Sequence, residues 1–194
     1  MITPQDIEKA VQLLREGGVV VFPTETAYGL AADARNEDAV AKVFEIKGRE
    51  ATKSFPLIAA DVEMVERVAG IPRGLRRLAD KHWPGALTLV LPETSDDLAA
   101  AVIRNGEIAI RVSSHPIAQS LTKGLGAPIV STSANIAGEP VCYTIDAVRT
   151  QLGDIPDMYL DAGELSGDAP STVVSVDDYG YPDVLRQGAI EIEI

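Results

Sequence analysis

The chain has 194 residues, 46% hydrophobic and 24% charged, with a formal net charge of -12 from 29 acidic and 17 basic side chains. That composition is long and apolar enough for one sizeable core, and its field repels polyanions, which argues against a dedicated nucleic-acid-binding module. A single cysteine, Cys142, excludes an internal disulfide framework, and with His82 and His115 the only histidines no closed Cys/His zinc site can be assembled from one chain.

The N-terminal "MITPQDIEKA" lacks the basic flank and apolar segment of a secretory signal, and the longest apolar run is the six residues 98–103. A cytoplasmic protein that neither leaves the cell nor spans a membrane is expected. Thr3, Pro4 and Asp6 have the order of a helix cap, and Ile7, Ala10, Val11 and Leu14 follow at helical spacing until Gly17 and Gly18. Val19 to Phe22 predicts a short buried strand, and a second helix starts from a cap at Asn36. Leu57 to Ala60 reads as a strand, with helices over 61–69 and 72–82. "ALTLVLP" and "IAIRV" alternate as strands do, and Ser114-His115-Pro116 opens a helix through Leu121. "PIVST" ends another strand, Thr144 caps a helix to Leu152, and "MYLDA", "TVVSV", "DVLRQ" and "AIEIEI" are short strand candidates. The expectation is one α/β domain over 1–194.

Four polar loops follow predicted strands or helices, where a scaffold fixes groups it does not cover. In "VVVFPTETAYGLAADA", Thr24, Glu25, Thr26 and Tyr28 supply hydroxyls and a carboxylate beside Gly29. They read either as a ligand-facing cluster or as a strand-to-helix turn whose hydroxyls satisfy its own backbone. "KGREATK" places Lys47, Arg49 and Lys53 within seven residues, which suits phosphate oxygens and equally a solvated helix end. Arg73, Arg76, Arg77 and Lys81 read as a solvated helix face or partner surface. "STSAN" puts Ser131, Ser133 and Asn135 on one side of an extended chain as a hydrogen-bonding shelf, without the G-x-S-x-G elbow of a nucleophile. Arg111, Ser171-Thr172 and Arg186 complete the set, and a buried arginine must meet an acid or an anion. Neither the P-loop nor the dinucleotide-binding glycine pattern is present.

Together, "PTETAYGLA", "KGR", "STSANIAGEP", "PSTVV" and "LRQGAI", spread over nearly the whole chain, resemble the YrdC/TsaC family of threonylcarbamoyl-adenylate synthases. The resemblance implies a YrdC-like fold, a twisted mixed β-sheet with flanking helices around a central positively charged cavity. It implies a nucleotidyltransferase that converts L-threonine, bicarbonate and ATP to threonylcarbamoyl-AMP and pyrophosphate, towards the threonylcarbamoyl-adenosine of tRNA. Carried over by position, Thr26, Tyr28, Arg111, Ser131 and Ser171 would bind threonine. Lys47 and Arg49 would be catalytic and hold ATP phosphates, with Lys53, Ser133, Asn135 and Arg186 also at the nucleotide. Mg2+ would arrive with ATP, no metal ligand is assigned, and the expected partners are tRNA threonylcarbamoyl-transfer proteins, with a weak tRNA contact and no membrane.

The chain departs from the family pattern where Glu50 follows Arg49 in place of a proline and where "PLIAAD" brings no histidine after the next strand. The further C-terminal domain of longer relatives is expected to be absent. Chemically, a carbamate attacking the α-phosphorus needs alignment and charge neutralisation rather than a protein nucleophile, and Glu25 is a candidate helper in deprotonating the amine. Two alternatives remain: an RNA-gripping module of the same fold, and a carbamoyl-transfer domain of the hydrogenase-maturation type.

Overall fold

The computed structural model describes residues 2–48 and 54–192. Its helices begin where the sequence satisfies their first free amides. Thr3, Asn36 and Asp61 each accept from the amide three residues on, opening α1 (Pro4–Arg15), α2 (Glu37–Lys47) and α3 (Val62–Glu66). The helix expected over 61–69 is thus shorter. Helix α4 (Arg73–His82) follows Pro72 without a side-chain cap, and its Arg76 pairs with Glu66 and Asp80 at 2.5 and 3.0 Å, as a solvated face would. At α5 (Pro116–Leu125) the cap is His115, whose Nδ1 accepts from Ile117 N at 3.2 Å. Thr144 caps α6 (Ile145–Leu152). Among the described residues no helix is long and apolar enough to cross a membrane.

Among the described residues ten strands form two mixed sheets: β1 (Val20–Pro23), β2 (Tyr28–Ala31), β3 (Leu57–Ala59), β4 (Leu87–Pro92), β5 (Glu107–Val112), β6 (Ile129–Val130), β7 (Thr132–Ser133), β8 (Met158–Tyr159), β9 (Thr172–Val176) and β10 (Pro182–Arg186). The smaller sheet runs β7-β2-β1-β8 and the larger β10-β9-β4-β5-β3-β6. They meet along one extended segment: β6 pairs with β3 while Val130 N also donates to Ala32 O at 2.9 Å, and β7 pairs with β2. Ser131 stands at the changeover, its amide bonded to Pro56 O at 2.8 Å.

Strand alternation divides the core. Val19 and Val21 turn to the side of α2, α3, α4 and α6, whereas Val20 and Phe22 turn to α1 and α5. Burial on both faces explains why the sequence reads there as an uninterrupted apolar run, and full burial of a side chain such as Phe22 contributes about 1.5–3 kcal/mol.

Two differences from the sequence reading bear on the site. Residues 28–31 are a strand, not a loop, so "PTETAY" is the turn of a β1–β2 hairpin with Pro23 opposite Tyr28. "AIEIEI" is not a strand over its described part: Ile190 O is taken by the side chains of Thr172 and Gln187, which leaves it off a ladder.

Candidate functional site

Where the sheets meet, a cleft of about 460 Å3 opens, walled by the hairpin turn, the end of β5, the β6–β7 segment, the residues leading into β9 and the end of β10. Of the sequence-assigned residues, Thr26, Tyr28, Arg111, Ser131, Ser133, Ser171 and Arg186 line it together. Arg49 and Lys53 lie outside the described residues. Lys47 and Asn135 are buried behind the lining rather than in it.

The turn is held by its own hydroxyls. Thr24 Oγ1 donates to Ala27 O at 2.7 Å, accepts from the amides of Thr26 and Ala27, and lies 3.0 Å from Thr26 Oγ1. Self-satisfaction of the turn and exposure of Thr26 to the cleft therefore coexist. Tyr28 is different: its hydroxyl donates to Gly163 O at 2.7 Å and accepts from Ala162 N at 2.9 Å, tying down the 161–163 loop. Burial raises its pKa, so the phenol stays protonated there.

Arg111 is 6% exposed. Its Nη1 donates to Glu25 Oε1, and Ser113 Oγ donates to Glu25 Oε2, so a carboxylate from one sheet locks a guanidinium from the other. The acid that a buried arginine needs is thus contributed by the hairpin turn. Burial lowers the Arg111 pKa from its usual value, Glu25 opposes that shift and the nearby Arg186 charge adds to it. At the far wall the Arg186 guanidinium donates through Nη2 to Ser171 O at 2.7 Å, and Ser171 Oγ lies 2.8 Å from Thr88 Oγ1. Gly188 allows this close packing, since a Cβ there would stand 2.1 Å from Pro170 O.

Behind the shelf, Lys47 Nζ donates to Ser133 O at 2.6 Å, Asn135 O at 2.8 Å and Asn135 Oδ1 at 3.2 Å. Ser133 Oγ donates to Asn135 Oδ1 at 2.5 Å, not to a histidine, and the Asn135 amide bonds Ile136 O and Glu139 O. Ser131 and Ser133 face the cleft, while Asn135 is turned to structural work.

Sequence reasoning missed Thr88, Ser113 and Asp168. The first is a fully apolar strand's only hydroxyl and is 2% exposed, which is the signal by which "ALTLVLP" could have revealed it. Asp168 carried no such signal. The described cations that line the cleft are Arg111 and Arg186 and the described lining acid is Asp168, while Glu25 is held against Arg111 outside the lining. No cluster of three His, Cys, Asp or Glu side chains fit for a metal ion occurs among the described residues.

Fold and cleft together define an α/β protein whose sheet junction presents hydroxyls and guanidinium groups to one cleft. The chain belongs to the Sua5/YciO/YrdC family, whose model, described as "Telomere recombination", matches residues 12–188. It is 40% identical over 189 residues to a threonylcarbamoyl-AMP synthase of Bacillus subtilis, covering 96% of this chain and 54% of that one. A threonylcarbamoyl-AMP synthase of Coxiella burnetii is 38% identical over 159 residues, 81% of this chain and 85% of its own. The structure of Pyrococcus abyssi Sua5 complexed with L-threonine superposes with a TM-score of 0.90 at 36% identity, covering 97% of this chain and 55% of that one. This chain therefore spans about half the length of the B. subtilis and P. abyssi relatives.

Proposed function

We propose that residues 1–194 act as one catalytic domain, a cytoplasmic nucleotidyltransferase that makes threonylcarbamoyl-AMP and pyrophosphate from L-threonine, bicarbonate and MgATP. The observation that carries this reading is the buried Arg111 guanidinium, set in one cleft with the hydroxyls of Thr26, Ser131, Ser133 and Ser171. Relatives named threonylcarbamoyl-AMP synthase, and a Sua5 complex with L-threonine, support the choice of substrate.

In this reading the threonine carboxylate sits on Arg111, with Thr26, Ser131 and Ser171 around its polar atoms; the Tyr28 hydroxyl acts indirectly, by fixing the 161–163 loop. The threonine nitrogen forms a bond to the bicarbonate carbon with loss of water. A carbamate oxygen then attacks the α-phosphorus as the α–β phosphoanhydride bond breaks, and pyrophosphate leaves. Ser133 and Arg186, with Arg49 and Lys53, receive phosphate oxygens, because such a transfer depends on aligned donors and charge neutralisation. Lys47 and Asn135 shape the shelf from which Ser133 is presented. Magnesium is part of the substrate, held by phosphates and water. The product passes to tRNA threonylcarbamoyl-transfer proteins.

Mass spectrometry of the purified protein incubated with threonine, bicarbonate and MgATP tests this. The mixed anhydride should form together with pyrophosphate and vanish when threonine or bicarbonate is omitted. Release of ADP in place of pyrophosphate, or no anhydride, overturns the assignment. The names of the relatives reported above favour neither the RNA-gripping nor the carbamoyl-transfer alternative.

A further inference from the structure

The hairpin turn and strand β5 belong to different sheets, yet their side chains meet at one point of the cleft wall. Glu25 projects from a turn whose geometry is fixed by Thr24 Oγ1. Its Oε1 accepts from Arg111 Nη1 and its Oε2 accepts from Ser113 Oγ. Ser113 is wholly buried and its hydroxyl oxygen also accepts from His115 N at 3.1 Å, which ties the carboxylate to the cap of α5. Both carboxylate oxygens are thus already bonded, which is poor placement for a group that must collect a proton from substrate. Arg111 has five N–H donors, and one of them goes to Glu25.

A guanidinium without this clamp would be free to swing and would stand as an unpaired buried charge near Arg186. Clamped, it offers its remaining donors to the cleft in one orientation. We propose that Glu25 is a positioning residue: from the opposite sheet it fixes Arg111 for the carboxylate of the amino-acid substrate, and it does not serve as a base. This rests on the synthase reading given above.

The experiment measures threonine-dependent pyrophosphate release and threonine binding by calorimetry for wild type, Glu25→Gln, Ser113→Ala and the double variant. Glu25→Gln should raise threonine KM and Kd about ten- to hundredfold, the scale of a misplaced binding group, while the KM for ATP stays within about twofold. Ser113→Ala should raise the same two constants by less, and the double variant should match Glu25→Gln because both act through one clamp. Glu25→Asp, one methylene short, should fall between, and it carries the test if Glu25→Gln does not fold. A lost kcat with unchanged threonine KM, or an altered pH profile of kcat alone, would instead make Glu25 a base and overturn the proposal. Unchanged threonine constants in both Glu25 variants of an active enzyme also overturn it. An inactive wild type counts against the synthase reading itself, and is distinguished by its own control.

Discussion

The Lys47 ammonium is bonded at 2.6 Å to the carbonyl oxygen of Ser133, a residue 86 positions further along the chain. With the contacts to Asn135 O and Oδ1, three acceptors among the described residues converge on one buried cation. This clasp sets the path of the serine shelf. Lys47→Ala would leave the buried Asn135 carbonyl without its ammonium donor and remove one of the two bonds that Ser133 O and Asn135 Oδ1 each accept, so it should lower unfolding free energy by about 2–4 kcal/mol. Thermal melting beside turnover checks this: lost activity with an unchanged melting temperature would mean that the lysine serves phosphate alone.

How far this was legible in the sequence depends on whether the cause was local. Val19–Phe22, the caps at Thr3, Asn36 and Thr144, and the shelf of Ser131 and Ser133 were readable, because neighbouring residues decide them. Strand β2 was not, since a glycine and a tyrosine in a short run form a strand only by pairing with β1 and β7. Arg111 visibly needed an acid, but among 29 candidates nothing marked Glu25, which comes from a different sheet. The reading of Lys47 as a phosphate ligand came from its neighbours in "KGR", and nothing in the sequence marked its bonds to Ser133 and Asn135, which lie across the fold.

Ser133→Ala removes the hydroxyl that donates to Asn135 Oδ1 at 2.5 Å, while Lys47 still serves that oxygen. Stability should therefore fall by only about 1 kcal/mol. The KM for ATP should rise about tenfold with little change for threonine, if the hydroxyl serves a phosphate oxygen. Steady-state kinetics with each substrate varied in turn decides this, and a rise confined to threonine would move Ser133 to the amino-acid end.

His115 predicts a pH effect on stability. Burial holds its pKa below the ordinary 6.5, with the Glu25 charge opposing, and its Nδ1 accepts the capping bond from Ile117 N. The unfolded imidazole therefore takes up a proton first, and its contribution is complete above pH 6.5 and lost as pH falls through the lower folded value. His115→Asn keeps a capping acceptor but cannot titrate. Its melting temperature relative to wild type should rise between about pH 7.5 and about pH 5.5. An equal offset at both values would refute the link.

Helices α1 and α5 approach closely at Gly124, where a Cβ would lie 2.7 Å from Val11 Cγ2. Gly124→Ala should destabilise by about 1–3 kcal/mol through overpacking. Combined with Val11→Ala, which opens the space, it should cost less than the sum of the two single changes. Chemical denaturation of the four proteins supplies the cycle, and strict additivity would show that the helices do not meet there as described.

The passage of one extended segment, residues 128–134, from the larger sheet into the smaller has a dynamic consequence. Backbone groups of both ladders are fastened through those few residues, so the floor beneath a bound ligand cannot fray by itself. Its amides should exchange with deuterium only when the whole molecule opens, and ligand gripped by Ser131 and Ser133 should slow that opening everywhere at once.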